Sequence, residues 1–165
     1  MGRLVALALV LAGLLAGGGM YYLQVYGYYD RLEPQISLTV DLPEGATRLS
    51  IADFQGIDSA SSPLRYRACF TLVGPVMELQ PYTEPRPLNA PSWFSCFDAP
   101  GLDADLAAGR ATAWLGESNF IYGFDRVLAL YPDGRGYLWH QMNACGTAHF
   151  DGRALPPGCP PAPER

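Results

Sequence analysis

The sequence predicts an α+β protein, with an N-terminal transmembrane helix followed by a mainly antiparallel sheet domain that contains one short helix. Residues Leu4–Tyr29 carry no charge, although acidic and basic residues make up 16% of the chain. About six later segments have the alternating or β-branched pattern of strands, whereas one has the pattern of a helix. The 15 Pro and 18 Gly favour short turns, which join antiparallel rather than parallel strands.

The uncharged run predicts a membrane anchor. A helix over Leu4–Tyr26 would be about 35 Å long, enough to span a hydrocarbon core of about 30 Å. Tyrosines follow at its end, as in the aromatic belts of membrane–water interfaces: Tyr21, Tyr22, Tyr26, Tyr28 and Tyr29. A cleaved signal peptide is the alternative interpretation, since Arg3, the apolar core and Ala16–Gly18 supply its three parts.

The charge distribution predicts the orientation of this anchor. Arg3 precedes the apolar run, and the positive-inside rule places that end in the cytoplasm. We therefore expect a single-pass protein of the bacterial inner membrane, with its C-terminal domain in the periplasm. The predicted regions are the anchor at residues 1–29, the periplasmic domain at 30–155 and a Pro-rich tail at 156–165.

Small residues recur along the predicted helix at a spacing of four: Gly13 and Gly17, and Ala8, Ala12 and Ala16. Such residues let two helix backbones approach closely in lipid. The pattern favours packing against a membrane-protein partner or self-association, and the alternative is chance, because Ala and Gly are common in this chain.

The predicted elements of the body follow one another with short connections. The strands are Glu33–Leu42, Arg48–Phe54, Leu64–Val73 with a continuation at Val76–Leu79, Arg110–Leu115, Ile121–Tyr131 and Gly136–Met142. The one helix is Gly101–Gly109, with Gly109 as its C-terminal cap. Pro132–Gly134 forms a hairpin turn, and the chain is expected to be turn-like from Asn143 onward.

All four cysteines lie in the body: Cys69, Cys96, Cys145 and Cys159. An even number in an exported domain predicts two disulfides, for which three pairings are possible. We favour Cys69–Cys96 with Cys145–Cys159 because these pairs close the shorter loops. Each would stabilise the fold by about 3–4 kcal/mol in the chain-entropy model.

The composition argues against several functions. The net charge is −5 and the 11 basic residues are all Arg, so a nucleic-acid partner and a nucleotide-binding lysine are not expected. Neither a GxSxG nor an HExxH motif is present, nor is a Gly-rich phosphate loop. We therefore expect no enzymatic activity and no cofactor.

Two groups of residues are candidate binding sites. Arg65 and Arg67 lie two apart in a predicted strand, so they would share a face able to bind a carboxylate partner or a lipid phosphate. The alternative for this pair is a solvated face paired with acids of the same domain. His140, Met142, Cys145 and His149 offer soft ligands that suit copper, although a Cys145–Cys159 disulfide is the simpler interpretation.

Four segments carry a resemblance to a known family: MYYLQVYGYYD, PLRYRACF, APSWFSCFDAP and DRVLALYPDGRGYLWHQMNACG. Together they resemble an uncharacterised family of short, single-span, membrane-anchored alphaproteobacterial proteins. The resemblance extends from the anchor to Cys159 and implies no activity.

The leading functional hypothesis is an accessory or assembly protein that acts by protein–protein binding in an envelope complex. It rests on the predicted anchor, its small-residue spacing and the acidic body. The alternative hypothesis is a periplasmic copper- or haem-handling factor that uses His140, Met142 and Cys145.

Overall fold

The computed structural model describes residues 1–75 and 79–163. Helix α1 (Gly2–Tyr22) opens the chain and continues into a π-helical turn at Leu23–Gly27. Together they form a 26-residue apolar segment that contains an 18-residue window with a mean hydropathy of 2.1, and none of its residues is buried. The predicted helix is thus confirmed, and it begins two residues earlier than Leu4. Its length and composition suit either a membrane anchor or a signal sequence.

The body is a seven-stranded sheet in which every pairing is antiparallel. The strands are β1 (Asp30–Arg31), β2 (Ser37–Leu42), β3 (Gly45–Asp58), β4 (Arg67–Leu72), β5 (Thr112–Ile121), β6 (Phe124–Leu130) and β7 (Arg135–Met142). The order across the sheet is β1-β3-β4-β7-β6-β5, and β2 also pairs with β3. The predicted fold class, an apolar helix followed by an antiparallel α+β domain, is confirmed.

Strand β3 bends the sheet onto itself. Its first half pairs with β2 and its second half with β1, and the register shifts between Ala52 and Gln55. Asp53, at this shift, has a φ of 54°, the left-handed geometry of a bulge. Strand β2 thereby reaches β5, where the Ser118 amide donates a hydrogen bond to Asp41 at 3.1 Å. This curl makes β3 longer than the predicted Arg48–Phe54.

The curled sheet has an apolar cluster on each face. The inner face, which β2 covers, buries Leu38, Val40, Phe70, Leu128 and Leu138. The outer face, which the segment 82–107 covers, buries Ile57, Phe97, Leu102, Val127 and Trp139. Alternate residues of β6 and β7 enter opposite clusters, as the two-residue period of a strand requires.

The body has two short α-helices within its described residues, where the sequence predicted one. Helix α2 (Ala99–Ala107) begins two residues before the predicted Gly101 because Asp98 caps it, accepting a hydrogen bond from the Gly101 amide at 3.2 Å. Helix α3 (Ala144–Phe150) lies in the stretch predicted to be turn-like. Asn143 caps α3 in the same way, through the Gly146 amide at 2.9 Å.

Other strand boundaries also differ from the prediction. A 3₁₀ turn at Pro63–Arg65 precedes β4, so that strand is shorter than Leu64–Val73. Ile36 lies outside β2 and is 84% exposed, although the predicted strand Glu33–Leu42 included it. The proposed continuation at Val76–Leu79 falls largely outside the described residues.

The two disulfides have the favoured pairing. Cys69–Cys96 joins β4 to the segment over the outer face, residues 82–107, which is called the Pro-rich segment below; the two Cα atoms are 6.2 Å apart. Cys145–Cys159 joins α3 to the C-terminal tail, with Cα atoms 5.6 Å apart. The predicted Pro-rich tail is therefore tied to the body rather than hanging free of it.

Candidate functional site: the anchor end of the body

The N-terminal apolar helix is attached to the body through Trp93. The indole Nε1 of Trp93 donates a hydrogen bond to the Val25 carbonyl at 2.6 Å. Its ring stacks on Tyr26 with centroids 6.2 Å apart and meets Tyr29 edge-on at 6.0 Å. The last carbonyls of a helix lack partners within the helix, so the indole also supplies a donor at the C-terminal end of the apolar helix. Two of the tyrosines predicted to form a membrane belt thus hold the body.

Arg65 lies beside this attachment, in the 3₁₀ turn before β4. Its guanidinium is 5.1 Å from the centre of the Tyr29 ring and 5.8 Å from that of Tyr28. Such distances are typical of cation–π contacts. Its Nη1 is buried and has no hydrogen-bond partner among the described residues.

Arg67 is a buried structural cation, with 3% of its surface exposed. Its guanidinium donates to the carbonyls of Leu88 at 2.6 Å, Tyr66 at 2.6 Å and Leu64 at 2.9 Å. Burial lowers the pKa of Arg67 to about 10, which leaves it charged at neutral pH. The prediction that Arg65 and Arg67 share one strand face is wrong, because Arg65 lies in the 3₁₀ turn and β4 begins only at Arg67.

A groove of about 1190 Å³ opens at the same end of the body. It lies between the Pro-rich segment, the ends of β6 and β7, and α3. Its lining includes Tyr82, Glu84, Asp125, Met142 and Thr147.

Gln141 holds the Pro-rich wall of the groove in place. Its Oε1 accepts a hydrogen bond from the Arg86 amide at 2.7 Å, and its Nε2 donates to the Glu84 carbonyl at 3.0 Å. Strand β7 therefore helps to fix the shape of the groove by holding its Pro-rich side in position.

Asp125 forms the floor of the groove and is 7% exposed. Its Oδ1 accepts from the Asn119 amide at 2.9 Å and from the Asn143 side chain at 2.8 Å. Its Oδ2 accepts from the Tyr82 hydroxyl at 3.2 Å. Burial and the Asp125 charge both raise the pKa of Tyr82, which keeps that hydroxyl protonated as a donor. Sequence reasoning missed this network because its members are far apart in the chain.

A second polar group crosses the inner face at this end. Arg126 donates from Nη1 to Glu117 at 2.8 Å and from Nε to His140 Nε2 at 3.2 Å. The other ring nitrogen of His140, Nδ1, lies 2.8 Å from the Pro63 carbonyl and must be the protonated one, since a carbonyl only accepts. Both ring nitrogens of His140 are therefore engaged.

Aromatic rings enclose this histidine. The His140 ring lies 4.4 Å from Tyr66 and 3.9 Å from Phe120, measured between centroids. His140 is 3% exposed, and burial lowers its pKa to about 3. His140 is therefore a packed, uncharged residue of the sheet at neutral pH.

The residues considered for copper are dispersed. His140 is enclosed on the inner face, Met142 lines the groove, and Cys145 is bonded to Cys159. His149 lies on α3, where its ring meets Tyr122 edge-on at 5.2 Å. Within residues 1–75 and 79–163, no three His, Cys, Asp or Glu side chains are grouped to hold a metal ion. Copper or haem handling stays a prediction.

The fold and this end of it define the class: a small, disulfide-linked α+β domain carried by an N-terminal apolar helix. The model of a family of unknown function, DUF6446, matches residues 36–160, which is more than half of the chain. The protein belongs to this family. No curated protein and no solved structure matches the chain. The match covers the groove and both disulfides.

Proposed function

We propose that this protein is a membrane-anchored accessory or assembly protein that works by binding a membrane-protein partner rather than by catalysis. The bacterial inner membrane would hold its helix, with the N-terminus cytoplasmic and the body in the periplasm. One observation carries the proposal: the exposed helix and the groove are two open surfaces at the same end of the body.

The helix offers the first of these surfaces. None of its residues is buried. A Cβ added at Gly13 or Gly17 would meet no atom within 4 Å, so both backbones are open to another helix. Close approach at small residues is how helices associate in lipid, where apolar burial gives little drive.

Strand register places the groove beside the anchor. The chain enters the sheet at Asp30, and the pairings run from Arg31 to Ile57, from Ile57 to Arg67 and from Arg67 to Trp139. The groove lies at the same end of the strands, just beyond Trp139. A partner with one membrane helix and a segment next to it would reach both surfaces.

The disulfides support the proposed compartment. Stable disulfides form and persist in oxidising environments such as the bacterial periplasm. A helix that is retained in the membrane, with Arg3 on the cytoplasmic side, delivers the body there.

Affinity purification from membranes in mild detergent tests the proposal. Gly13→Ile and Gly17→Ile should each reduce partner recovery, because a β-branched side chain blocks close helix approach. Leu11→Ile is the matched control, since it keeps the span apolar on another part of the helix.

The groove is tested in the same purification. Ala144→Trp would fill the groove next to α3 and should reduce recovery, whereas Ala107→Trp, on the exposed end of α2, should not. Wild-type recovery by all the glycine and groove variants would overturn the proposal.

A further inference from the structure

We propose that the anchor end of the body rests on the membrane and presents a lipid-contacting rim, formed by Ile121, Tyr122 and Phe150. Its occupant is the headgroup region of the bilayer that holds the helix. The inference rests on the proposed membrane anchor, and it does not depend on a protein partner.

The rim exposes two large apolar side chains. Ile121 is 52% exposed and Phe150 is 57% exposed. Tyr122 meets His149 edge-on at 5.2 Å, and Phe150 lies 5.8 Å from the largely buried Phe124. An apolar residue beside a Tyr is typical of a membrane interface, because the Tyr ring can contact lipid while its hydroxyl reaches water.

The rim is held rigidly. It consists of the β5–β6 turn and the end of α3, which touch through Gly123 and Gly146. A Cβ at either glycine would collide with the backbone of the other, and Gly123 has a φ of +84°. The Asn143 amide also donates to the Gly123 carbonyl at 2.9 Å. These contacts fix the turn against the helix, so the exposed side chains have a defined direction.

The register of the sheet places the rim on the membrane side. Strand β5 ends, and β6 begins, at the end of the strands where β1 follows the anchor, as the pairings Arg67–Trp139 and Val127–Trp139 require. Five strand spacings of about 4.8 Å separate β1 from β5, about 24 Å across a flat sheet and less across a curled one. The attachment at Trp93 and the rim would therefore support the body on the bilayer at two separate points.

Arginines near the attachment fit the same surface. Arg31 and Arg65 form no ion pair among the described residues. Lipid phosphates supply the acceptors that such groups require. Asp30 and Asp58 lie close by and offset part of this charge, so the apolar rim carries the inference.

Fluorescence quenching in vesicles tests this surface with the full chain. Three variants each add one Trp: Phe150→Trp on the rim, Val73→Trp just after β4 at the opposite end of the strands, and Leu11→Trp within the helix. Val73 is 55% exposed, which matches it to Phe150. The vesicles contain phosphatidylethanolamine, phosphatidylglycerol and a lipid brominated on the upper acyl chain. Emission of the parent, which has three Trp, is subtracted.

The expected pattern has three parts. Leu11→Trp and Phe150→Trp lose most of their added emission to the brominated lipid, and Val73→Trp loses none. Ile121→Trp repeats the measurement on the turn, in case Phe150→Trp disturbs α3. If both rim variants behave like Val73→Trp while Leu11→Trp is quenched, the rim is refuted and the anchor stands. If Leu11→Trp is not quenched, the anchor itself fails and takes this inference with it.

Discussion

The N-terminal helix α1 and the body use the same apolar residue types in opposite ways. Leu7 and Leu14 of α1 are 66% and 69% exposed, whereas Leu128 and Leu138 of the sheet are 0% and 1% exposed. The body therefore obtains its stability from its own contacts, and the helix depends on what surrounds it. Changes in the helix should alter where the protein is found and what it binds, and changes in the body should alter whether it folds.

The largest effect is expected from charges in the helix. Arg at the centre of a span costs about 2.5–3.5 kcal/mol per residue on insertion scales, so Leu11→Arg with Leu14→Arg costs about 5–7 kcal/mol. We expect the double variant to leave the membrane fraction and to keep its cysteines reduced, because its helix no longer delivers the body to the oxidising periplasm. Leu11→Ile with Leu14→Ile is the control. Retention of the charged variant in the membrane would remove the distinction between the two regions.

The next effect is on the body. Cys69→Ser with Cys96→Ser should lower the free energy of unfolding, measured by urea denaturation, by about 2–5 kcal/mol. The variant should still be found in the membrane fraction. Cys145→Ser with Cys159→Ser should lower the free energy of unfolding less, because that disulfide closes a shorter loop and ties down only the tail. Equal losses in the two variants would contradict this ranking.

Arg67 tests the body by its hydrogen bonds. Arg67→Met removes the donors of at least three backbone carbonyls and should cost about 3 kcal/mol of stability. Arg67→Lys keeps the charge but not the planar set of donors, and should recover only part of that loss. If Arg67→Lys were as stable as the wild type, charge alone would explain the role of Arg67.

His140 gives the body a pH dependence of known sign. Its pKa is lowered from 6.5 to about 3 by burial, so the unfolded chain binds a proton there at a higher pH than the folded one. The stability it contributes is complete above pH 6.5 and is lost as the pH falls toward 3. The slope approaches about 1.4 kcal/mol per pH unit.

A pair of histidine variants isolates this slope. His140→Gln retains a donor and an acceptor and should flatten the dependence of unfolding free energy on pH between 6.5 and 4. His149→Gln is the control, because that residue lies on the surface helix α3. An unchanged slope in His140→Gln would show that other groups cause the acid sensitivity.

The smallest expected effect lies at the junction of the two regions. Trp93→Phe removes the hydrogen bond to Val25 and keeps the aromatic stacking, a loss of about 1 kcal/mol. We expect faster proteolysis between Tyr26 and Asp30 in vesicles, with the melting of the body nearly unchanged. Wild-type cleavage would mean that Trp93 does not hold the anchor against the body.

Signals within short stretches of the chain were enough to predict the N-terminal helix, several strands and the disulfide pairing. The uncharged run predicted α1, and loop length favoured the two disulfide pairings that the structure has. Strand β2 followed from alternation, and β7 followed as the strand that returns from the Pro132–Gly134 turn. Helix α3 was missed because seven residues with two small side chains near a disulfide have no apolar period.

The candidate site was largely hidden from the sequence because it depends on tertiary contacts. Arg67 belongs to the outer face, and only the Pro-rich segment that covers that face turns it from a surface charge into a buried one. Tyr82, Asp125 and Asn143 come from separate parts of the chain and meet only in the folded body. The Arg pair, by contrast, was placed on one strand because the 3₁₀ turn before β4 has no strong signal.

The mass of the protein recovered from membranes tests the central claim most directly, because it shows whether the helix and the body stay joined. Intact mass spectrometry of the membrane fraction, with and without reduction, should give a chain that begins at or near Met1 and carries two disulfides. A soluble form that begins near Gly17–Met20 would instead identify the helix as a cleaved signal sequence, and the account of an anchored binding protein would be wrong.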